Sequence, residues 1–465
     1  MARASPINVS LNMSAAHRKS QAPWSRDRLG RGLLFAPLAW FAGFHLFWFH
    51  LVALEALRQF PKWARFLRTP TVVTLAGILL TAWVSLMMAA GGASWSRLAS
   101  AFYASTYWIM AAIVFCVASV SDWRSARRCI VWFAVAFALV AGAIALFGIY
   151  RWFTQGPGAV AMPTLLGLLV GGRALEIPFV YENLVLPLLT VDLIGGQPAP
   201  RTTALAPYPT VTAALVLFTA PTLILFGRSA GRLPIWTIGV ALGGMCLALY
   251  LANSRATVLA AALAVPFVIL IHRRSFLVTA AVALPVIAIL SPFILDLLDG
   301  LLATRATSTA TRFQLYRLQV EAVLSSAPVF GFGVKDRIAG LDVPVGSQSA
   351  IFGALYRNGV VGLVLLLALM AIVTMRWLAS MRIRLPTAHR RFLAAIGVPL
   401  IGMNVILFTE DLDWPQLLCY LYFYYQGLIN AVVRDGRREI AANGGTATQS
   451  ADSPDGRSAR SGVLQ

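Results

Sequence analysis

The chain has 465 residues, of which 58% are hydrophobic and only 12% charged, with a formal charge of +20. Ordinary soluble domains are about a quarter charged, so a globule of this composition would aggregate in water and the bilayer is the solvent that remains. A nucleic-acid-binding surface would gather its basic residues on one face; here they are dispersed over short segments between apolar stretches, so nucleic acid is not expected as a partner.

From the N-terminus, residues 1–31 are polar and basic and read as a cytoplasmic tail, without the small-residue cleavage site of a signal peptide. Apolar runs follow at 33–57, 70–90, 101–121, 129–150, 209–226, 234–252, 257–271, 275–295, 350–375, 392–409 and 416–433. A backbone in lipid must satisfy its own hydrogen bonds, so these runs are expected as helices. The expectation is an all-α, polytopic helical membrane protein with about ten to twelve transmembrane helices, each of roughly 20 residues. Residues 32–151 hold the N-terminal membrane helices and 152–208 a Gly/Pro-rich periplasmic segment. Residues 209–433 form a second membrane domain with a large periplasmic loop at 296–349, and 434–465 read as a disordered cytoplasmic tail. Cys116, Cys129, Cys246 and Cys419 lie in or beside separate apolar runs and read as small core residues.

Orientation follows Lys and Arg. Clusters at Arg58/Lys62/Arg65/Arg68, Arg124/Arg127/Arg128, Arg228/Arg232, Arg273/Arg274 and Arg376/Arg382/Arg384/Arg390/Arg391 alternate with loops that lack them. Placing the clusters and both termini in the cytoplasm puts the charge excess on one face. Parity then singles out 33–57, which lies between two basic flanks. A single crossing, a re-entrant or interfacial segment and a hairpin of two short helices all stand as readings of it.

Three outside segments carry candidate chemistry. Arg255, in Asn253-Ser254-Arg255-Ala256-Thr257, opens a span at the outer face, where topology offers no reason for a cation; it reads as a functional group or as a snorkelling anchor. Between Arg312 and Pro328 a helix-like stretch is apolar at Leu315, Leu318, Val320, Val323 and Leu324. It closes on Pro328-Val329-Phe330-Gly331-Phe332-Gly333. Gln348-Ser349 precedes a span bearing Gly359 and Gly362, glycines that permit close helix packing.

Together these segments resemble the O-antigen ligase and Wzy-type polymerase superfamily of bacterial surface-polysaccharide enzymes. In that family a Ser-Arg pair opens a span. A periplasmic loop then carries an Arg with an aromatic four residues on and a Pro-x-x-Gly-x-Gly turn. A His-Asn/Ser/Gln pair is followed, after nine residues, by Gly-x-x-Gly. Ser254-Arg255, Arg312 with Tyr316, Pro328/Gly331/Gly333, and Gln348-Ser349 with Gly359/Gly362 match in order and spacing, within about residues 200–430. The departure is Gln348, which stands where the family has histidine: a carboxamide has no titratable pair near neutral pH and cannot act as a general base.

The resemblance implies an inner-membrane glycosyltransferase, inverting and metal-independent, acting on glycans linked to undecaprenyl diphosphate. Its partners would be the lipid bilayer and other polysaccharide assembly and export proteins, and no cofactor is expected. Arginine forks suit diphosphate oxygens, which makes Arg255 and Arg312 the expected clamp and Arg317, Arg337 and Arg357 further diphosphate-binding candidates. With Gln348 unable to deprotonate an acceptor, Glu410 and Asp411 become the candidate bases, with Asp413 and Glu182 beside them. Polymerisation of lipid-linked repeat units is the leading expectation, and transfer of a finished glycan to lipid A–core the alternative. A lipid-linked sugar flippase would carry internal repeats and mid-span charges that the sequence lacks; a structural assembly subunit is the remaining reading.

Overall fold

The computed structural model describes residues 27–171, 184–194, 197–273, 306–337, 344–411 and 416–451. Its helices, in chain order, are α1 (Arg28–Ala42), α2 (His45–Ala56), α3 (Phe60–Trp63), α4 (Pro70–Ala89), α5 (Trp95–Ala118), α6 (Trp123–Gln155) and α7 (Leu165–Val170). They continue as α8 (Pro209–Gly231), α9 (Ile235–Ala252), α10 (Arg255–Arg273), α11 (Ala306–Ser326), α12 (Ala350–Arg382), α13 (Thr387–Ile406) and α14 (Gln416–Ala451). Among the described residues seven helices, α4, α5, α6, α8, α9, α10 and α12, are long and apolar enough to cross a membrane. The protein is an all-α polytopic membrane protein. The run 275–295 lies outside the described residues.

Helix α14 is less uniformly apolar than these spans, and its position explains why. From Leu417 to Tyr425 it is buried on every side, packed among α2, α5, α6, α8, α12 and α13. A helix surrounded by protein rather than lipid can carry hydroxyls, provided each finds a partner. Tyr420 donates to the Leu29 carbonyl at 2.8 Å and Tyr425 to the Phe218 carbonyl at 2.8 Å. Tyr422 reaches Asn404 at 3.2 Å, and Tyr424 donates to the Asp27 carboxylate.

The run 33–57 is a helical hairpin. Helices α1 and α2 have 15 and 12 residues, break at Gly43 with φ 88°, and pack against each other. At 1.5 Å per residue each is about 18–22 Å long, short of the roughly 30 Å hydrocarbon core. Of the three readings of this run, the hairpin of two short helices is the one observed.

Two segments carry more regular structure than their composition suggests. Helix α14 continues past residue 434 to Ala451, where composition alone reads as a disordered tail. Its extension is tied down: Arg434 donates to the Ser119 and Ser121 carbonyls at 2.9 and 3.0 Å, and Glu439 pairs with Arg124 at 3.0 Å. The Gly/Pro-rich segment, for its part, forms a three-stranded antiparallel sheet of β1 (Val160–Pro163), β2 (Val185–Ile194) and β3 (Gln197–Thr202), in the order β1-β2-β3. Pro198 and Pro200 hide the strand pattern, yet β3 is an edge strand, where missing N–H groups are tolerated. The sheet packs through β3 on α6 and α9.

Candidate functional site

The site is built where α12 begins. Ser349 caps that helix: its Oγ accepts from the Phe352 N–H at 3.2 Å and so satisfies an orphan donor of the first turn. The Ala350 N–H is shared between the carbonyls of Leu407 and Glu410 at 3.0 and 2.9 Å, which pins the end of α13 to the start of α12. Helix α11 lies over this junction. Arg312 and Tyr316, one turn apart and hence on one face, both point down to it. Arg312 Nη1 donates to the Thr409 carbonyl at 3.3 Å, and Nη2 stands 3.8 Å from Glu410 Oε1. The Tyr316 hydroxyl lies 3.1 Å from the Gln348 carbonyl and 3.3 Å from that of Phe408, while its ring stacks on Phe352 at 4.3 Å.

The turn after α11 enters a break in α12. Gly359 has φ 65° and ψ −164°, a conformation open essentially to glycine alone. In an unbroken helix the Tyr356 and Arg357 carbonyls would accept from Val360 and Val361. Instead they accept from the Phe332 and Gly333 N–H groups at 2.9 and 2.8 Å. Val360 and Val361 donate to the Pro328 and Val329 carbonyls at 2.9 and 3.3 Å. The exchange satisfies all four groups that the break would otherwise orphan. A Cβ on Gly331 would lie 2.5 Å from the Tyr356 carbonyl oxygen. Gly359 therefore admits a loop, where its spacing from Gly362 reads in sequence as helix–helix packing.

Two adjacent carboxylates sit in opposite environments. Asp411 is held between Lys335 Nζ at 2.8 Å and Arg357 Nη2 at 3.0 Å. Burial alone would raise its carboxyl, but Arg357 and Lys335 overcome that and hold it below the usual carboxylate range. Glu410 is raised from its ordinary 4.5 to about 7, chiefly by burial, against the opposing pull of Arg312, the Thr210 hydroxyl and Arg201. Its Oε1 is buried and accepts no hydrogen bond. Neighbouring carboxyls driven apart in this way take different roles: Asp411 is a fixed anion, and Glu410 can exchange a proton near neutrality.

Arg255 is the first residue of α10, half-buried, behind Ser254. Ser254 Oγ lies 3.0 Å from Thr257 Oγ1 and 3.4 Å from the Thr257 N–H, as a helix cap does. The Ala252 carbonyl, just before this corner, receives Arg201 Nε and Nη2 at 3.0 and 2.8 Å, and Arg201 Nη1 reaches Asp192 at 3.2 Å. Sequence reasoning missed Arg201, although it carries the signal that picked Arg255, a cation in a segment that the charge rule assigns to the outside. Gln348 adopts φ 65°; its backbone carbonyl joins the site while its amide makes no hydrogen bond among the described residues. Arg357 is committed to Asp411. Arg317 is exposed and pairs with Glu321 at 2.6 Å along α11, and Arg337 is also exposed, so neither joins the cluster. Glu182 and Asp413 lie outside the described residues. Among the described residues no three His, Cys, Asp or Glu side chains converge as a metal site would require.

Residues 240–367 match the family model described as O-Antigen ligase. No curated protein matches the chain. The matched segment runs from within α9 to within α12 and so holds Ser254-Arg255, Arg312, Tyr316, the Pro328–Gly333 turn, Gln348 and Gly359; Arg201, Glu410 and Asp411 fall outside it. This match supports the O-antigen ligase/Wzy superfamily for the segment it covers, within a polytopic membrane protein, and a function of the O-antigen ligase or polymerase type in general.

Proposed function

We infer that the protein polymerises undecaprenyl-diphosphate-linked oligosaccharide repeat units at the periplasmic face of a bacterial inner membrane. The observation that carries this reading is the meeting of Arg312 with Glu410 at the α12–α13 junction, at the end of α13 where Gly402 packs on Ala260 of α10, the helix that Arg255 opens. In the proposed reaction an acceptor sugar hydroxyl attacks the anomeric carbon of the donor and gives its proton to Glu410. The bond from that carbon to the phosphate oxygen breaks, and its electron pair leaves with the lipid diphosphate. Attack opposite the leaving group inverts the anomeric centre. Arg255 and Arg312 hold the charge that develops on the diphosphate; preorganised charge of this kind is usually the largest catalytic contribution.

Glu410 rather than Asp411 takes the proton in this account, because Asp411 is already neutralised by two cations. Gln348, in the place of the family's histidine, supports a polymerase over a ligase that transfers to lipid A–core. The basic loops support a cytoplasmic location for both termini by the positive-inside rule. Mass spectrometry of undecaprenyl-linked glycans in a deletion strain tests the reading. Single repeat units should accumulate on the periplasmic leaflet. Accumulated long chains would indicate a ligase instead, and accumulation confined to the cytoplasmic leaflet a flippase.

A further inference from the structure

We propose that Arg201, on strand β3, is a positioning residue of the transfer site, whose single guanidinium fixes the corner presenting Arg255 and sets the charge around Glu410. Two of its N–H groups fork onto the Ala252 carbonyl, the last of α9, at 3.0 and 2.8 Å. Asn253 turns the chain in the left-handed conformation, Ser254 caps α10, and Arg255 follows at once. The orientation of Arg255 thus rests on a corner held from outside the two helices that make it. Arg201 is only 9% exposed, and Asp192 on β2 holds its third nitrogen at 3.2 Å. Deleting the guanidinium frees the Ala252 carbonyl and removes a cation from the field of Glu410.

The groups facing Glu410 are Arg312 and Tyr316 from α11, Thr210 from the start of α8, Arg201 from β3, and its neighbour Asp411. Arg201 stabilises the carboxylate, so its loss must raise the proton affinity of Glu410, whereas loss of Asp192 leaves the guanidinium less neutralised and must lower it.

This inference rests on the reading of Glu410 as the base, and the experiment separates the two. The purified full chain is assayed across pH for glycan chain formation from an undecaprenyl-diphosphate-linked repeat unit. Arg201→Gln should lower the rate roughly ten- to a hundredfold, the effect of a displaced catalytic group, and move the acid limb of the profile to higher pH. Arg201→Lys should leave the limb near its native place while the rate stays low, because an ammonium cannot fork. Asp192→Asn should move the limb the opposite way, to lower pH, which keeps the charge arm testable even where Arg201→Gln fails to accumulate. Unmoved limbs in Arg201→Gln and Asp192→Asn would remove the charge half of the proposal. A native rate in Arg201→Lys would remove its part in the corner. Persistence of the acid limb in Glu410→Gln would instead overturn the base reading, and the charge half of this proposal with it.

Discussion

Arg312 Nη2 stands 3.8 Å from Glu410 Oε1, beyond hydrogen-bond reach but well within the range at which a cation sets a carboxyl's proton affinity. Burial still wins, and Glu410 is raised to about 7. As a base it must be ionised, so the rate should climb with pH through about 7. The stability consequence has the opposite sign. A carboxyl that binds its proton more tightly when folded loses stability as pH rises from its ordinary 4.5 through about 7. Glu410→Gln should therefore abolish turnover yet raise the unfolding temperature at alkaline pH, measured by thermal denaturation in detergent. An unfolding temperature that falls on substitution would show that Glu410 supports packing.

Asp411 predicts a contrasting outcome. Asp411→Asn leaves Lys335 and Arg357 without their shared counter-charge. Breaking a buried pair from one side costs on the order of 3–5 kcal/mol. The variant should be lost from the membrane fraction, with the surviving protein turning over near the native rate. Full accumulation with no activity would make Asp411 a participant in the chemistry.

Gly359 and the Pro328–Gly333 turn form one unit. A side chain at Gly359 would both require a forbidden backbone conformation and run into the Val329 carbonyl. Gly359→Ala and Gly331→Ala should each expel the turn, exposing the 328–333 segment to protease. Because they break one junction, the double variant should fall short of the summed single effects. Additive losses would mean that the two glycines act independently.

Gln348→Ala should lower activity only a few-fold, since the side chain makes no hydrogen bond among the described residues and a typical one contributes only about 1 kcal/mol. Gln348→Gly should be tolerated as well or better, because glycine enters the left-handed region without strain. A loss as deep as that of Glu410→Gln would give the amide a direct role in the reaction.

What the sequence could reveal depended on how local the cause was. Span positions, the helix after Arg312 and the Ser254-Arg255 corner are written in runs and neighbours along the chain, and they were legible. The Tyr-rich α14 was legible as a helix but not as one packed among six others, because that role depends on what surrounds it. The helix break at Gly359 was hidden, since a glycine that admits a loop and one that packs a helix look alike. Arg201 and the opposed environments of Glu410 and Asp411 depend on contacts from distant elements, and residue spacing carries no record of those.

The two arginines test the account most directly. With the purified protein and an undecaprenyl-diphosphate-linked repeat unit as the sole substrate, elongated chains and free lipid diphosphate should form together. Arg255→Ala and Arg312→Ala should each lower that rate by roughly 10²–10³, the usual loss of one preorganised donor, in protein that accumulates normally. Lys at either position should rescue only in part. Near-native chain formation in both Ala variants, or chains formed only after lipid A–core is added, would contradict the polymerase account.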